Sequence, residues 1–476
     1  MKLEKYNIKL CQGDIPKYIQ ITRYIKKLID SNAIEDGEKL PPIRVFSDFL
    51  GVNNDTIINA YRRLQHEGYA VQKIGSGTYA KKREINRTFK KDYSDTFKKL
   101  SGEAIKDYID FTGENACGDF FPVTTFKNVL NEVLDRDGAG ALAYQELLGY
   151  KGLRESINKY FWGNTLDSDN ILIVSGAQQG IDIASKALIN INDNVLVEKP
   201  TYSGALSVFK GRRANIFEAD IKEDGIDIMD LKNILKKNKI KCFYLMSYFQ
   251  NPTGCSYSIE KKREILRLAE EYDFYIIEDD YLSELIYDPN LEYKSFKALD
   301  THDRVIYIKS FSKIFLPGIR IGYLICPDRF KEQLQNSKLD TDIATSSLMQ
   351  RALQLYIEKG FWREYINQLN IIYNERYNHM QRQLEQVLGE KVEFIKPGGG
   401  LNFYIKLKEA VKTSSIKLFY DCKEQNVLIT PGVLFYKNSK DGESFFRLGF
   451  SKAEKHEIDK GLNVINNILK ASDRLG

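Results

Sequence analysis

Two hydrophobic rhythms divide the chain. Near the N-terminus apolar positions recur every three or four residues, through Ile15, Tyr18, Ile19, Thr22, Ile25, Leu28 and Ile29, the period of an amphipathic helix. Pro41 and Pro42 forbid its continuation and open a second helix, which runs through Val45, Phe46, Phe49 and Leu50 and stops at Gly51. Asn53 or Asn54 can cap a third helix, with Ile57, Ala60, Tyr61 and Leu64 facing inward and Gly68 at its end. Two short β-like runs then flank Lys73-Ile74-Gly75-Ser76-Gly77-Thr78, a glycine-rich hairpin tip. From about Tyr108 the rhythm changes. Short β-rich runs, Ile171–Val174, Asn194–Val197, Cys242–Met246, Phe274–Ile277 and Val305–Ile308, alternate with longer helical stretches. That alternation predicts an α/β fold with a mostly parallel central sheet.

The pattern therefore predicts three segments: a small helical domain over 1–80, a connector over 81–107 and a large α/β domain over 108–476. The connector is highly charged with sparse apolar residues, which reads as a solvated spacer with helical turns. Its Lys81, Lys82 and Arg83 could add phosphate contacts. Three helices and a hairpin, with a short turn between the second and third helices, make a winged helix-turn-helix. The third helix would enter a DNA major groove, presenting Asn54, Asp55, Thr56 and Asn59. The wing around Lys73 and Gly75 would touch backbone or minor groove, and Arg44 would meet a phosphate.

Charge sharpens this picture. The 476 residues hold 70 Lys and Arg against 65 Asp and Glu, a net charge of +5. Residues 1–91 carry 18 basic and 10 acidic residues, a net +8, so the remainder carries −3. A basic excess confined to one small domain is the electrostatic footprint of a polyanion binder. The six cysteines form no C-x-x-C pair, and with only four histidines a zinc cluster, or any metal, is not expected. Scattered cysteines, no signal-peptide core and no apolar run of membrane-spanning length predict a cytoplasmic protein with no membrane partner.

In an open α/β sheet, ligands bind beyond the C-terminal strand ends, and the polar clusters of the large domain fall there. They are Ser175-Gly176-Ala177-Gln178-Gln179-Gly180, then Glu198-Lys199-Pro200-Thr201-Tyr202, then Asn251-Pro252-Thr253-Gly254, then Glu278-Asp279-Asp280-Tyr281, and finally Lys309-Ser310-Phe311-Ser312-Lys313 with Arg320 beyond it. A helix start after the first strand favours a phosphate.

Two family resemblances rest on these residues. The stretch LPPIRVFSDFLGVNNDTIINAYRRLQHEGY, with the Gly75-x-Gly77-Thr78 wing, resembles the DNA-binding region of GntR-type bacterial regulators. The set N-P-T-G, D-D-Y and a hydroxyl-flanked Lys313 followed by Arg320 resembles the fold-type I pyridoxal-phosphate (PLP) aminotransferases, over roughly Tyr108 to Leu469. That second resemblance implies that Lys313 forms the Schiff base with the cofactor aldehyde. It implies that Asp279 pairs with the pyridine nitrogen, that Asn251 and Tyr281 bond the phenolic oxygen, and that Tyr202 stacks on the ring. Ser310, Ser312, Arg320 and the amides of Ala177 and Gln178 would hold the phosphate. Arg447, in Phe446-Arg447-Leu448-Gly449-Phe450, would grip a ligand carboxylate through its planar fork. Tyr144 would reach across a dimer interface toward the neighbour's phosphate.

The two halves together resemble the MocR subfamily of GntR regulators, which implies a head-to-tail homodimer. The expected function is a PLP-dependent transcriptional regulator of double-stranded DNA, sensing an amino compound or PLP itself through an internal aldimine. The alternative is an active aminotransferase with an appended DNA reader. The GABA-responsive members carry an Arg soon after the stacking Tyr; here Ser203, Gly204 and Ala205 follow Tyr202, so a GABA response is not expected.

Overall fold

The computed structural model describes residues 3–8, 10, 16–30, 33–35, 37–66, 69–73, 76–81, 85–99, 107–143, 146–315, 317–342 and 344–473. The chain forms two compact units, Met1–Ser101 and Gly102–Gly476.

The first unit contains α1 (Lys17–Asp30), α2 (Ile43–Leu50), α3 (Asn54–His66), the hairpin of β1 (Ala70–Lys73) and β2 (Gly77–Ala80), and α4 (Ile85–Lys99). Ile21, Ile25 and Ile29 of α1 close on Phe46 of α2 and on Ile57, Ala60 and Leu64 of α3. The buried line of α1 passes through Ile21 rather than Ile19, and it takes in Thr22, whose hydroxyl donates to Tyr18 O at 2.7 Å. On α2 only Phe46 of the expected four is fully buried; Val45 and Phe49 are 46% and 41% exposed. An eight-residue helix meets the core along one line, Ile43, Phe46 and Leu50, and positions 45 and 49 fall on its far side. Gly51 ends α2 in the left-handed region at φ 63°. Asn53 is the residue that caps α3, its Oδ1 accepting from Thr56 N at 2.9 Å. Ile15, Gly68, Lys82 and Arg83 lie outside the described residues.

Within the segment read as a solvated spacer, α4 runs for fifteen residues and buries Phe89 and Thr96. Its apolar residues are few, but Phe89 and Tyr93 stand four apart and their rings meet at 5.8 Å between centroids, on one face of the helix.

The second unit is built on an eight-stranded sheet. Its strands are β4 (Ile171–Val174), β5 (Asn194–Lys199), β6 (Asn215–Lys222), β7 (Gly225–Ile226), β8 (Ile240–Leu245), β9 (Tyr275–Asp280), β10 (Val305–Ser310) and β11 (Gly322–Ile325), in the order β4-β11-β10-β9-β8-β5-β6-β7. Neighbours from β10 through β6 are parallel, while β11 runs antiparallel between β10 and β4. Both faces are covered, so β4, β9 and β10 are buried along their whole length. Sequence reading finds the five continuous apolar runs and misses β6, β7 and β11. In β6 the buried Ile216 and Ala219 are interleaved with charged residues near the sheet edge, β7 is two residues long, and β11 opens on a glycine.

A smaller sheet completes the site. The strand β3 (Ile109–Asp110) pairs in parallel with β14 (Val427–Leu428). The strands β12 (Val392–Phe394), β13 (Asn402–Leu407), β15 (Thr430–Pro431) and β16 (Phe445–Gly449) form a sheet in the order β12-β13-β16-β15, with Arg447 opposite both Tyr404 and Thr430. Gly449 N donates to Phe111 O at 2.6 Å, which ties the loop after β3 to β16.

The entry of β11 is tight. A Cβ on Gly322 would lie 2.6 Å from Lys309 O and 3.2 Å from Gly176 Cα. Gly322→Ala is therefore expected to cost about 1–3 kcal/mol, read as a lower melting temperature of the second unit; an unchanged melting temperature contradicts this account of the packing.

Candidate functional site

The parallel strands β5, β8, β9 and β10, with β4 running the same way through its antiparallel neighbour, bring their C-terminal ends to one side. There a cavity of about 250 Å³ is lined by Ala177, Gln178, Tyr202, Asn251, Asp279, Tyr281, Ser310, Ser312, Lys313 and Arg320, joined by Asn115, Met246 and Pro317. Every described residue expected of the cofactor set stands at this one hollow. Two larger hollows, of about 530 and 490 Å³, lie around Lys437 and Tyr404 and contain none of these residues.

Successive residues of β9 point to opposite faces, and this separates two adjacent carboxylates. Asp280 accepts from Lys309 Nζ at 3.0 Å, Ser283 Oγ at 2.9 Å, Tyr293 Oη at 2.6 Å and Tyr307 Oη at 2.7 Å. Lys309 also meets Glu284 at 2.9 Å. Burial disfavours its ammonium, but Asp280 and Glu284 outweigh that and hold its pKa above the ordinary value. Asp279, on the other face, accepts from Tyr244 Oη at 2.7 Å through Oδ2, and its buried Oδ1 has no partner among the described residues. Burial raises the Asp279 pKa to about 7, with the neighbouring Asp280 charge adding to it and the Tyr244 hydrogen bond opposing.

At the other end of the cavity the helix Ala177–Leu188 begins without a side-chain cap. Its leading N–H groups form a ready anion site. Gly176 precedes it at φ 96°, and a Cβ there would lie 3.3 Å from the Arg320 guanidinium, which donates to Ser175 O at 2.5 Å. Ser310 and Ser312 are buried, and Ser312 Oγ has no partner among the described residues. Tyr202 borders the cavity beside Gly204, where a side chain would collide with the Tyr202 ring and the Gln178 amide.

Lys313 is half-buried, with Nζ 2.9 Å from Glu114 Oε2. Glu114 also pairs with Arg447 Nη1, and Arg447 donates to Asn251 Oδ1 at 2.7 Å. Burial opposes ionisation of Glu114, but the charges of Arg447 and then Lys313 outweigh it and hold the carboxyl well below the usual carboxylate range. The Tyr281 hydroxyl donates to Phe249 O at 2.7 Å. Sequence reasoning did not single out Glu114. Its only signal is that it is the one charged residue between Asp110 and Asp119. Tyr144 lies outside the described residues.

In the first unit Arg44, Asn54, Asp55, Asn59 and Lys73 are exposed and Thr56 is half-buried. Asn54 Oδ1 accepts from Ser47 Oγ at 2.7 Å, so this side chain braces α2 against α3. The Lys73 ammonium stands 4.7 Å from the Tyr79 ring centroid, a cation–π contact that steadies the wing. Gly75 lies outside the described residues. Among the described residues no helix is long and apolar enough to cross a membrane, and no group of three or more His, Cys, Asp or Glu could hold a metal ion.

Residues 107–465 match the model of the family "Aminotransferase class I and II", and residues 17–80 match "Bacterial regulatory proteins, gntR family". The aromatic-amino-acid aminotransferase 1 of Thermococcus litoralis is 30% identical, over 76% of this chain and 88% of that protein. The uncharacterized HTH-type transcriptional regulator YdfD of Bacillus subtilis is 27% identical, over 96% of this chain and 97% of its own length. Among solved structures, the multiple substrate aminotransferase of Thermococcus profundus superposes with a TM-score of 0.75 at 28% identity, covering 81% of this chain and 96% of that one. The α-aminoadipate aminotransferase of Thermus thermophilus, complexed with N-(5'-phosphopyridoxyl)-L-leucine, superposes with a TM-score of 0.73 at 25% identity, covering 82% of this chain and all of that one.

The Asp279 environment sets a pH dependence. Its pKa rises from about 4 in the unfolded chain to about 7 in the fold. The folded state therefore binds more protons across this window, and stability falls as pH rises through it. In protein stripped of cofactor, the melting temperature of Asp279→Asn should gain on the parent between pH 5 and pH 8; a constant difference contradicts the assignment.

Proposed function

The chain belongs to the aminotransferase class I and II family and carries a gntR-family DNA-binding unit at its head, and on that premise we propose that its large unit senses an amino compound, or PLP itself, and reports to the reader. The observation that carries this reading is one cavity that joins a reachable lysine, a buried carboxylate with one unpartnered oxygen and an open helix N-terminus, in a chain that also holds a winged helix-turn-helix.

The family's cofactor is PLP, and the residues fit it. The orphaned Asp279 Oδ1 suits a protonated ring nitrogen, and the unpartnered Ser312 Oγ suits a phosphate oxygen. When bound, PLP supplies an aldehyde that captures amines and a ring that withdraws electrons. Lys313 would offer the amine that holds the aldehyde. Asp279 would keep a proton on the ring nitrogen, since a cation beside it relieves the cost of its burial. Tyr202 would cover the ring, and Asn251 and Tyr281 would serve the phenolic oxygen. Ser310, Ser312, Arg320 and the amides of Ala177 and Gln178 would hold the phosphate. Arg447, paired with Glu114, stands behind Lys313 and Asn251.

On the DNA side, α3 enters the major groove with Asp55, Thr56 and Asn59, Arg44 meets a phosphate, and the Lys73 wing lies against the backbone. A head-to-tail homodimer working in the cytoplasm completes the proposal. Regulation requires that the effector bind two arrangements of the protein with different free energies. A working aminotransferase with a DNA-binding appendage is the second reading, favoured by the intact Lys313, Asp279 and Arg320. Sustained amino transfer to a 2-oxo acid supports it, whereas binding without turnover supports the sensor.

Two measurements test the proposal. Lys313→Ala should abolish the visible absorption band of protein reconstituted with PLP; an unchanged spectrum sinks the cofactor assignment. Footprinting on DNA flanking the gene, with and without PLP and amino compounds, should reveal a protected site. Arg44→Ala should weaken binding there across sequences and lower the salt slope by about 1; an unchanged slope removes Arg44 from the phosphate contacts.

A further inference from the structure

Arg447 is the residue whose fork would grip a ligand carboxylate, yet the chain itself already occupies that fork. A guanidinium carries five N–H donors. Nη1 donates to Glu114 and, at 2.7 Å, to Asn251 Oδ1; Nη2 donates to Thr112 O at 3.2 Å and to Thr430 Oγ1 at 3.3 Å. Only the buried Nε has no partner among the described residues. The Phe435 ring stands 5.3 Å from the centre of the guanidinium. An incoming carboxylate can form two parallel bonds only by displacing these partners. It would then lie beside the carboxylate of Glu114, and like charges at contact in a partly desolvated pocket repel strongly.

The second oxygen of Glu114 completes the argument. Oε2 stands 2.9 Å from Lys313 Nζ, so this one carboxylate spans from the amine-capturing lysine to the arginine. Those are the two points that an α-amino acid would bridge with its own amino and carboxylate groups. Glu114 thus supplies the carboxylate internally and turns an oxygen toward an ammonium. The helix Ser203–Gly211 after Tyr202 contains no arginine that could meet a carboxylate farther out on the ligand, and Arg212 donates to Ile189 O at 3.0 Å.

We propose that Glu114 is the specificity-determining residue of the pocket and that it selects primary amines lacking an α-carboxylate over α-amino acids. The proposal rests on the reading of Lys313 as the PLP lysine. It is tested on the full-length chain reconstituted with PLP, titrated with cadaverine against L-lysine and with phenethylamine against L-phenylalanine, following the visible band and the melting temperature. Each amine should half-saturate at least about tenfold below its amino acid, a factor equivalent to about 1.4 kcal/mol. Glu114→Gln should erase or reverse that preference through tighter binding of the amino acids. In cofactor-free protein, propionate should raise the melting temperature of Glu114→Gln and leave the parent unmoved. Amino acids binding the parent as tightly as amines overturn the proposal, as do a parent that responds to neither class and a Glu114→Gln protein with unchanged preference. If Glu114→Gln does not fold, Glu114→Ala and the parent's own preference decide. If the parent gains no visible band with PLP, the cofactor reading fails instead, and the propionate comparison still decides the role of Glu114.

Discussion

The second unit is organised around a buried carboxyl group that it leaves only half satisfied. An isolated carboxylate beneath a sheet edge is costly, and Asp279 carries that cost with one oxygen bonded to Tyr244 and the other unmatched. Its neighbour Asp280 shows the closed solution to the same problem, with Lys309, two tyrosines and a serine satisfying it on the opposite face. The pleat of β9 is what permits one strand to hold both. The open carboxylate, the uncapped helix at Ala177 and the lysine after β10 then make a cavity with a negative end and an anion-accepting end. A flat, charged aromatic molecule of opposite polarity fits such a cavity.

Much of this was legible in the sequence because a parallel sheet buried on both faces writes its strands as unbroken apolar runs. Each run is followed by the polar cluster that the strand delivers, so the sequence alone places Asp279, Lys313 and Ser312 at one sheet edge. What was illegible lacked that signature. The antiparallel strand β11 opens on a glycine, β7 is two residues long, and β6 interleaves its buried residues with Glu218 and Asp220. Glu114 comes from a loop nearly two hundred residues before Lys313 and more than three hundred before Arg447. No local periodicity marks it, and only the pairing of β3 with β14 and of Phe111 with Gly449 brings it in.

The reader tells a parallel story on a smaller scale. The spacing of three and four residues placed its helices, and Gly51 ended α2 as a left-handed cap must. Spacing alone does not say which apolar residues face inward, because a two-turn helix can satisfy its core with one line of side chains. Val45 and Phe49 pay for that geometry with exposure. The excess basic charge of residues 1–91 stands in a chain whose remainder is slightly acidic. The net figure for the whole protein therefore describes neither unit.

The two lysines at the end of β10 are four residues apart and chemically unlike. Lys309 is sealed among Asp280, Glu284 and Ser283, and its charge is held in place by its neighbours. Its nitrogen therefore has no lone pair to offer an electrophile. Lys313, just beyond the strand, meets one carboxylate, Glu114, and opens onto a cavity. The fold thus decides which of the two amines a carbonyl compound can reach at all.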